Sequence, residues 1–236
     1  MSDAGGSPLV FDGVALVIGG ARLLDSISFT LEPRERVAIT GESGLGKSLI
    51  LRLAAGLVSP SAGSIRLFGQ ELAALDPDAR RVIRARCGLA LQGGSLLAAL
   101  SVEDNLRLGF GQGRVAASDR VQRRIDRMLV DFDIGHLAKR TAGALSASEQ
   151  RRVELARVFV RDPELVMLDE PFERSHAAAA ALEQRIHRQT VPRGRALLLA
   201  TQDEALAARL ADRCFALHRG RLVQQPSVES RPLAMS

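Results

Sequence analysis

The residues Gly41-Glu42-Ser43-Gly44-Leu45-Gly46-Lys47-Ser48 follow the pattern G-x-x-x-x-G-K-[ST] without a mismatch. Glycines let backbone N–H groups converge on phosphate oxygens, and the start of a following helix adds partial positive charge. The pattern assigns Lys47 to the β- and γ-phosphates and the Ser48 hydroxyl to Mg²⁺. Its surroundings agree: Arg36 to Thr40 reads as a buried strand, and Leu49 to Ala55 as a helix ending at Gly56. A plain glycine turn is the alternative, and the flanking strand and helix weigh against it.

With 236 residues, 46% of them hydrophobic, the chain can bury the core of one large α/β domain. No apolar run reaches the roughly 20 residues of a membrane helix, and Met1 to Pro8 lacks the layout of a signal peptide, so a cytosolic chain is expected. Cys87 and Cys214 each fall in an apolar, strand-like run without metal-ligand spacing and read as reduced core residues. The net charge of +5 comes largely from arginine. Nucleic acid is not the expected partner, because single-strand binders stack bases on aromatic side chains and aromatics are 3% here, with no Trp or Tyr. The dense basic stretches, Arg80 to Arg86 and Arg120 to Arg127, carry apolar residues at helical spacing and read as solvated helix faces.

Leu9 to Phe11, Val14 to Ile18 and Ser26 to Leu31 read as short strands, with a Gly19-Gly20 turn between the last two. Past the loop helix come a strand at Ser64 to Phe68, a helix at Asp78 to Arg84 and a buried strand at Cys87 to Leu91, followed by Gln92 and a flexible Gly93-Gly94. Ser101 to Asp104 forms a capping pattern. From Asp119 to Asp133 the residues Val121, Ile125, Met128, Leu129 and Phe132 recur at helical spacing. Leu165 to Glu170 is then a strand ending in two carboxylates, the position that lies beside a ligand in an open α/β sheet. A helix (Ser175 to Gln189), a strand (Ala196 to Ala200), a helix (Asp203 to Ala211) and the strands Cys214 to Leu217 and Arg221 to Val223 follow.

The phosphate loop, the strand ending Asp169-Glu170, and Leu145-Ser146-Ala147-Ser148-Glu149-Gln150-Arg151-Arg152 upstream of that strand occur in one order. Together they resemble the ATP-binding subunits of ABC transporters, over about Val10 to Val223. The resemblance implies an α/β, P-loop NTPase (RecA-like) core with an N-terminal antiparallel β portion and an inserted helical subdomain. It implies one domain over 1–225, with its core at 1–95 and 162–225 and the helical subdomain at 96–161; the polar, proline-containing tail at 226–236 reads as disordered. The implied cofactors are ATP and Mg²⁺. Asp169 and Gln92 join Ser48 at the metal, Glu170 polarises the attacking water, and Gln92 also marks where membrane subunits dock. Two such subunits sandwich two nucleotides, so that Ser146, Ala147, Ser148 and Glu149 would contact the partner's nucleotide in trans.

The chain departs from the family pattern in four places. The signature glycines are Ala147 and Ser148. The aromatic residue that stacks on adenine aligns with Ile18. The loop after Pro171 reads Glu173-Arg174-Ser175-His176, and the histidine that contacts the γ-phosphate is Gln202. A glutamine donates a hydrogen bond but carries no imidazolium charge. Ser146 and Glu149 keep an S-x-x-E capping box, so the helix should start correctly; with both glycines changed, a capped helix without a trans role is the alternative reading of that segment. Leu91 to Leu106, with Gln92-Gly93-Gly94-Ser95-Leu96-Leu97, is similar to the matching region of Mla-type ATPases of MCE-containing lipid transporters. The implied role is a transport motor on the cytoplasmic face of the bacterial inner membrane. Its implied partners are integral-membrane permease subunits, a second ATP-binding subunit and an MCE-domain substrate-binding protein. The alternative is a degenerate subunit that holds ATP beside an active partner ATPase.

Overall fold

The computed structural model describes residues 6–93, 96–110, 118–172 and 176–226, without the side chains of 176–179. The chain opens on a hairpin, β1 (Leu9–Ile18) and β2 (Ala21–Leu31), closed by Gly19 and Gly20 at φ +58° and +81°. Both turn residues adopt the left-handed conformation that a two-residue hairpin loop demands. Where the sequence predicts two short strands, β1 is continuous. Its register shifts between Phe11 and Val14, so Asp12-Gly13 is an irregularity inside one strand rather than a break. The turn also precedes a longer partner than expected, since β2 starts at Ala21.

β3 (Arg36–Thr40) leads through the phosphate loop into α1 (Lys47–Ala54). Next come β4 (Ala62–Leu67), β5 (Gln70–Glu71), α2 (Pro77–Arg84) and β6 (Cys87–Ala90). A helical stretch follows with α3 (Val102–Arg107), α4 (Asp119–Asp131) and α5 (Ala147–Phe159). The rhythm then resumes with β7 (Leu165–Asp169), α6 (His176–Thr190), β8 (Ala196–Thr201), α7 (Glu204–Leu210), β9 (Arg213–His218) and β10 (Arg221–Gln224).

The strands form two sheets. One is antiparallel, in the order β2-β1-β4-β5; the other runs β10-β9-β3-β8-β7-β6, parallel from β9 to β6 with β10 antiparallel at the edge. Strands covered on both faces are apolar throughout, and successive residues of the central sheet feed different cores. Val37, Ile39, Leu165, Met167 and Leu198 pack with the hairpin sheet and α1, while Ala38, Val166, Leu168, Leu197 and Leu199 pack with the helical stretch, α6 and α7. Phe132 and Phe159, with ring centroids 5.8 Å apart, join the end of α4 to α5.

The arginine-rich stretches do more than face solvent. Arg86 grips Glu164 with two hydrogen bonds of 2.6 and 2.7 Å, and Arg124 donates to the carbonyls of Val160 and Phe159 and to Asp162. Both cysteines are free and half-buried at strand positions rather than central in a core, and burial pushes the Cys87 thiol up to about 12. Among the described residues, no helix is long and apolar enough to cross a membrane.

Candidate functional site

Because β3, β8, β7 and β6 lie side by side and parallel, their C-terminal ends share one edge of the sheet. That edge collects the phosphate loop after Thr40, Thr201-Gln202 at the end of β8, Asp169-Glu170 at the end of β7 and Gln92 beyond β6. From Gly41 to Gln202 these residues span more than a hundred positions of the sequence. The sheet order alone brings them together, at the place where open α/β sheets bind ligands.

In the phosphate loop Gly41 has φ +140°, and a Cβ there would stand 2.9 Å from the Leu217 carbonyl oxygen of β9. Gly46 provides the N-cap of α1 with φ 104° and no capping side chain. The Leu49 and Ile50 N–H groups bond the Gly46 carbonyl, while no side chain of Gly46 caps those of Lys47 and Ser48, from which a phosphate would accept. Lys47 is buried, 5% exposed, and its Nζ donates to the carbonyls of Gly41 (2.7 Å) and Glu42 (2.9 Å) while lying 3.5 Å from Glu170 Oε1. A buried ammonium with a carboxylate beside it is a strong electrostatic centre.

Sequence reasoning extends β7 to Glu170, but the strand stops at Asp169. Glu170 turns out of it with φ +44°, held by its N–H bond to the Ala200 carbonyl (2.9 Å). Its Oε2 accepts from the Thr201 hydroxyl and the Gln202 backbone N–H, both at 3.3 Å. Gln202 thus reaches Glu170 through its main chain while the residue itself is exposed. Asp169 is 1% exposed; its Oδ2 accepts from the Gln92 backbone N–H at 3.5 Å. Asp169 Oδ1 and Glu170 Oε1 are buried without a hydrogen-bond partner among the described residues.

The other sequence-predicted residues sit apart from this cluster. Ile18 ends β1 at the hairpin turn, 51% exposed, and offers an accessible apolar face. Ser146, Ala147 and Ser148 are exposed at the start of α5. Ser146 Oγ accepts from the Glu149 N–H at 3.4 Å, and Glu149 Oε2 accepts from the Ser146 N–H at 2.7 Å, completing the predicted capping box. Glu173, Arg174 and Ser175 of the altered loop, and Gly94 and Ser95 after Gln92, lie outside the described residues.

A model of the family described as ABC transporter matches residues 24–173, which contain the phosphate loop, the α5 segment and Asp169-Glu170. The chain belongs to the ABC transporter family. The lipoprotein-releasing system ATP-binding protein LolD of Pseudomonas syringae pv. tomato is 37% identical over 204 residues, covering 86% of this chain and 89% of that protein. The Fe(3+) ions import ATP-binding protein FbpC 2 of Rhodococcus jostii is 38% identical over 221 residues; these cover 92% of this chain but 61% of the relative's length. Among solved structures, the ATP-binding cassette MJ0796 bound to ADP and Pi superposes with a TM-score of 0.83 at 22% identity, over 92% of this chain and 97% of that one. The fold of this chain is therefore that of an ABC cassette.

Two residues that carry the cassette's site architecture escaped the sequence reading. Asn105, fully buried on α3, accepts from the Leu97 N–H at 2.8 Å and donates to the carbonyls of Leu97, Leu100 and Ser101. It fixes the segment Leu97 to Ser101 ahead of α3. Arg151 on α5 donates to the carbonyls of Pro171 (2.8 Å) and Glu170 (2.7 Å). A buried polar residue in a helical run was the available signal for Asn105. For Arg151 there was none, because its partners are main-chain atoms that no side-chain pattern reveals.

Proposed function

We propose that this chain is the ATP-hydrolysing subunit of an ABC transporter, acting peripherally on the cytoplasmic face of a bacterial inner membrane. The observation that carries the reading is the meeting of Lys47, Asp169 and Glu170 at one sheet edge, with two buried carboxylate oxygens that lack hydrogen-bond partners among the described residues. Phosphoryl transfer is mainly positioning plus charge neutralisation, and this cluster holds a fixed cation, a metal-directed carboxylate and a base-directed one. In this reading residues 41–48 cradle the phosphates, Lys47 neutralises their charge and Ile18 packs on the base. Glu170 polarises the attacking water, with Gln202 beside it.

Mg²⁺ fits this site. Hard cations take oxygen ligands, and Mg²⁺ uses one or two carboxylates together with substrate phosphates rather than an all-protein cage. Asp169 Oδ1 is such an orphaned oxygen, and among the described residues no group of three or more His, Cys, Asp or Glu could hold a metal by itself. Ser48, Asp169 and Gln92 would hold the ion, which supplies charge neutralisation at the phosphates.

The proposed organisation is a single cassette over 1–225, with its core at 1–95 and 162–225 and a helical subdomain at 96–161. It works with integral-membrane permease subunits and a second ATP-binding subunit, whose nucleotide faces Ser146 to Glu149. Lipid transport of the Mla type, with an MCE-domain protein, is supported by the segment Leu91 to Leu106 alone, since relatives are named for iron import, lipoprotein release and macrolide export. A second reading, a subunit that holds ATP beside an active partner, is favoured by the side chains of Ala147 and Ser148 at the exposed start of α5. The deciding experiment is steady-state ATPase activity of the intact transporter with Glu170→Gln. Collapse by about a hundredfold or more supports hydrolysis at this site; unchanged turnover supports the second reading.

A further inference from the structure

Glu170 is a non-glycine residue with φ +44°, a conformation that L side chains rarely adopt and that surrounding contacts must impose. On its N-terminal side the restraint is its own N–H, bonded to the Ala200 carbonyl of β8. On its C-terminal side the restraint comes from a different part of the molecule. Arg151 Nη2 donates to the Glu170 carbonyl at 2.7 Å and lies 3.4 Å from that of Asp169, while Nε donates to the Pro171 carbonyl at 2.8 Å. The guanidinium is itself held by Glu154, whose carboxylate accepts from Nη1 at 2.8 Å, and the side chains of this pair are only 13% and 11% exposed. A planar fork with five N–H donors suits such a task, whereas an ammonium offers a point charge without the fork.

We propose that Arg151 is a positioning residue for Glu170: it grips the peptide groups on the far side of the left-handed turn and so aims the carboxylate at Lys47 and the phosphate site. This rests on the reading of Glu170 as the water-polarising group. Arg151 lies five residues beyond Ser146, the N-cap of α5, so one helix carries both the exposed first turn and the grip on the catalytic turn. A shift of α5 is thereby transmitted to Glu170 through the guanidinium and not through packing alone. Small displacements of a catalytic group cost rate steeply, while ground-state binding of ATP depends on the phosphate loop, which Arg151 does not touch.

The test compares the unchanged chain with Arg151→Gln, Arg151→Lys and Glu170→Gln in the intact transporter. It measures kcat and KM for ATP, and hydrogen exchange over residues 169–172 and 147–159. Arg151→Gln is expected to lower kcat about tenfold or more with KM within about twofold. Exchange at 169–172 should rise about tenfold, while that of α5 stays within about twofold. Arg151→Lys, which keeps the charge without the fork, should recover less than half of the lost rate. Unchanged kcat in Arg151→Gln while Glu170→Gln is inactive overturns the role of Arg151 alone. Equal loosening of α5 and of 169–172 also overturns it, by making Arg151 a general support of the helix. If Glu170→Gln turns over normally, the reading of Glu170 fails and the proposal falls with it.

Discussion

The phosphate loop and the first turn of α5 are both helix starts preceded by a short loop, yet they are built in opposite ways. At the phosphate loop the cap is a glycine with no side chain to offer, and the buried Lys47 fills the loop with its own hydrogen bonds. At α5 the cap satisfies itself: Ser146 and Glu149 exchange hydrogen bonds, and Ala147 and Ser148 stand exposed in the first turn. The first leaves the N–H groups of Lys47 and Ser48 for a ligand. The second spends part of that capacity on its own side chains. A helix start thus serves as an anion site in proportion to how little its own sequence caps it.

The largest expected effect comes from putting a side chain at the first residue of the loop that leads into the open helix start. Gly41→Ala places a Cβ 2.9 Å from the Leu217 carbonyl oxygen at φ +140°. Strain of this kind costs about 1–3 kcal/mol, so ATP affinity measured by calorimetry should fall roughly ten- to a hundredfold. Unchanged affinity would show that the loop tolerates a Cβ and that its openness is not what matters.

Next in size is Asn105→Ala, which strips four hydrogen bonds from the segment Leu97 to Ser101 ahead of α3. Leaving buried backbone groups unpaired should cost about 2 kcal/mol. For a chain of this size the melting temperature should drop by roughly 5 °C. The phosphate loop shares none of these bonds, so ATP affinity should hold; a parallel loss of binding would show that the two regions are coupled.

The reverse change at α5, Ala147→Gly with Ser148→Gly, removes the side chains from the self-capped turn. If they hold the partner's nucleotide off, steady-state ATPase activity should rise about threefold, at a cost of up to ~1 kcal/mol in helix stability. An unchanged rate would mean that the side chains do not limit approach.

The contrast between the two helix starts was itself legible in the sequence, because glycine, serine and glutamate act within a few residues of where they stand. The phosphate loop, the caps at Ser101 and Ser146, the apolar strands and the period of Val121, Ile125 and Met128 all obey local rules. What escaped depends on partners distant in sequence. Glu170 leaves β7 because the Ala200 carbonyl and Arg151 pull its two peptide groups aside. Gln202 approaches Glu170 through its backbone N–H, and side-chain alignment says nothing of main-chain contacts. The continuity of β1 across Asp12-Gly13 is imposed by pairing with β2 and β4, which overrides the local tendency to break.

The smallest expected effect sharpens the contrast by titration. The Glu149 carboxyl is held below the usual glutamate range, first by the Ser146 hydroxyl that donates to it and then by the Ser146 backbone N–H, with Arg140 and Arg152 adding positive charge. A group whose folded value is depressed contributes its stability above the unfolded value and loses it as pH falls through the folded one. Acidification through the carboxylate range should therefore loosen the start of α5, seen as falling hydrogen-exchange protection of the Glu149 and Gln150 amides. Glu149→Gln keeps the capping geometry without the titration and should flatten the profile. The start of α1 has no capping carboxylate and should keep its protection over the same range. Equal acid sensitivity at both helix starts would trace the effect to the whole chain, and the difference in how they are capped would then have no bearing on it.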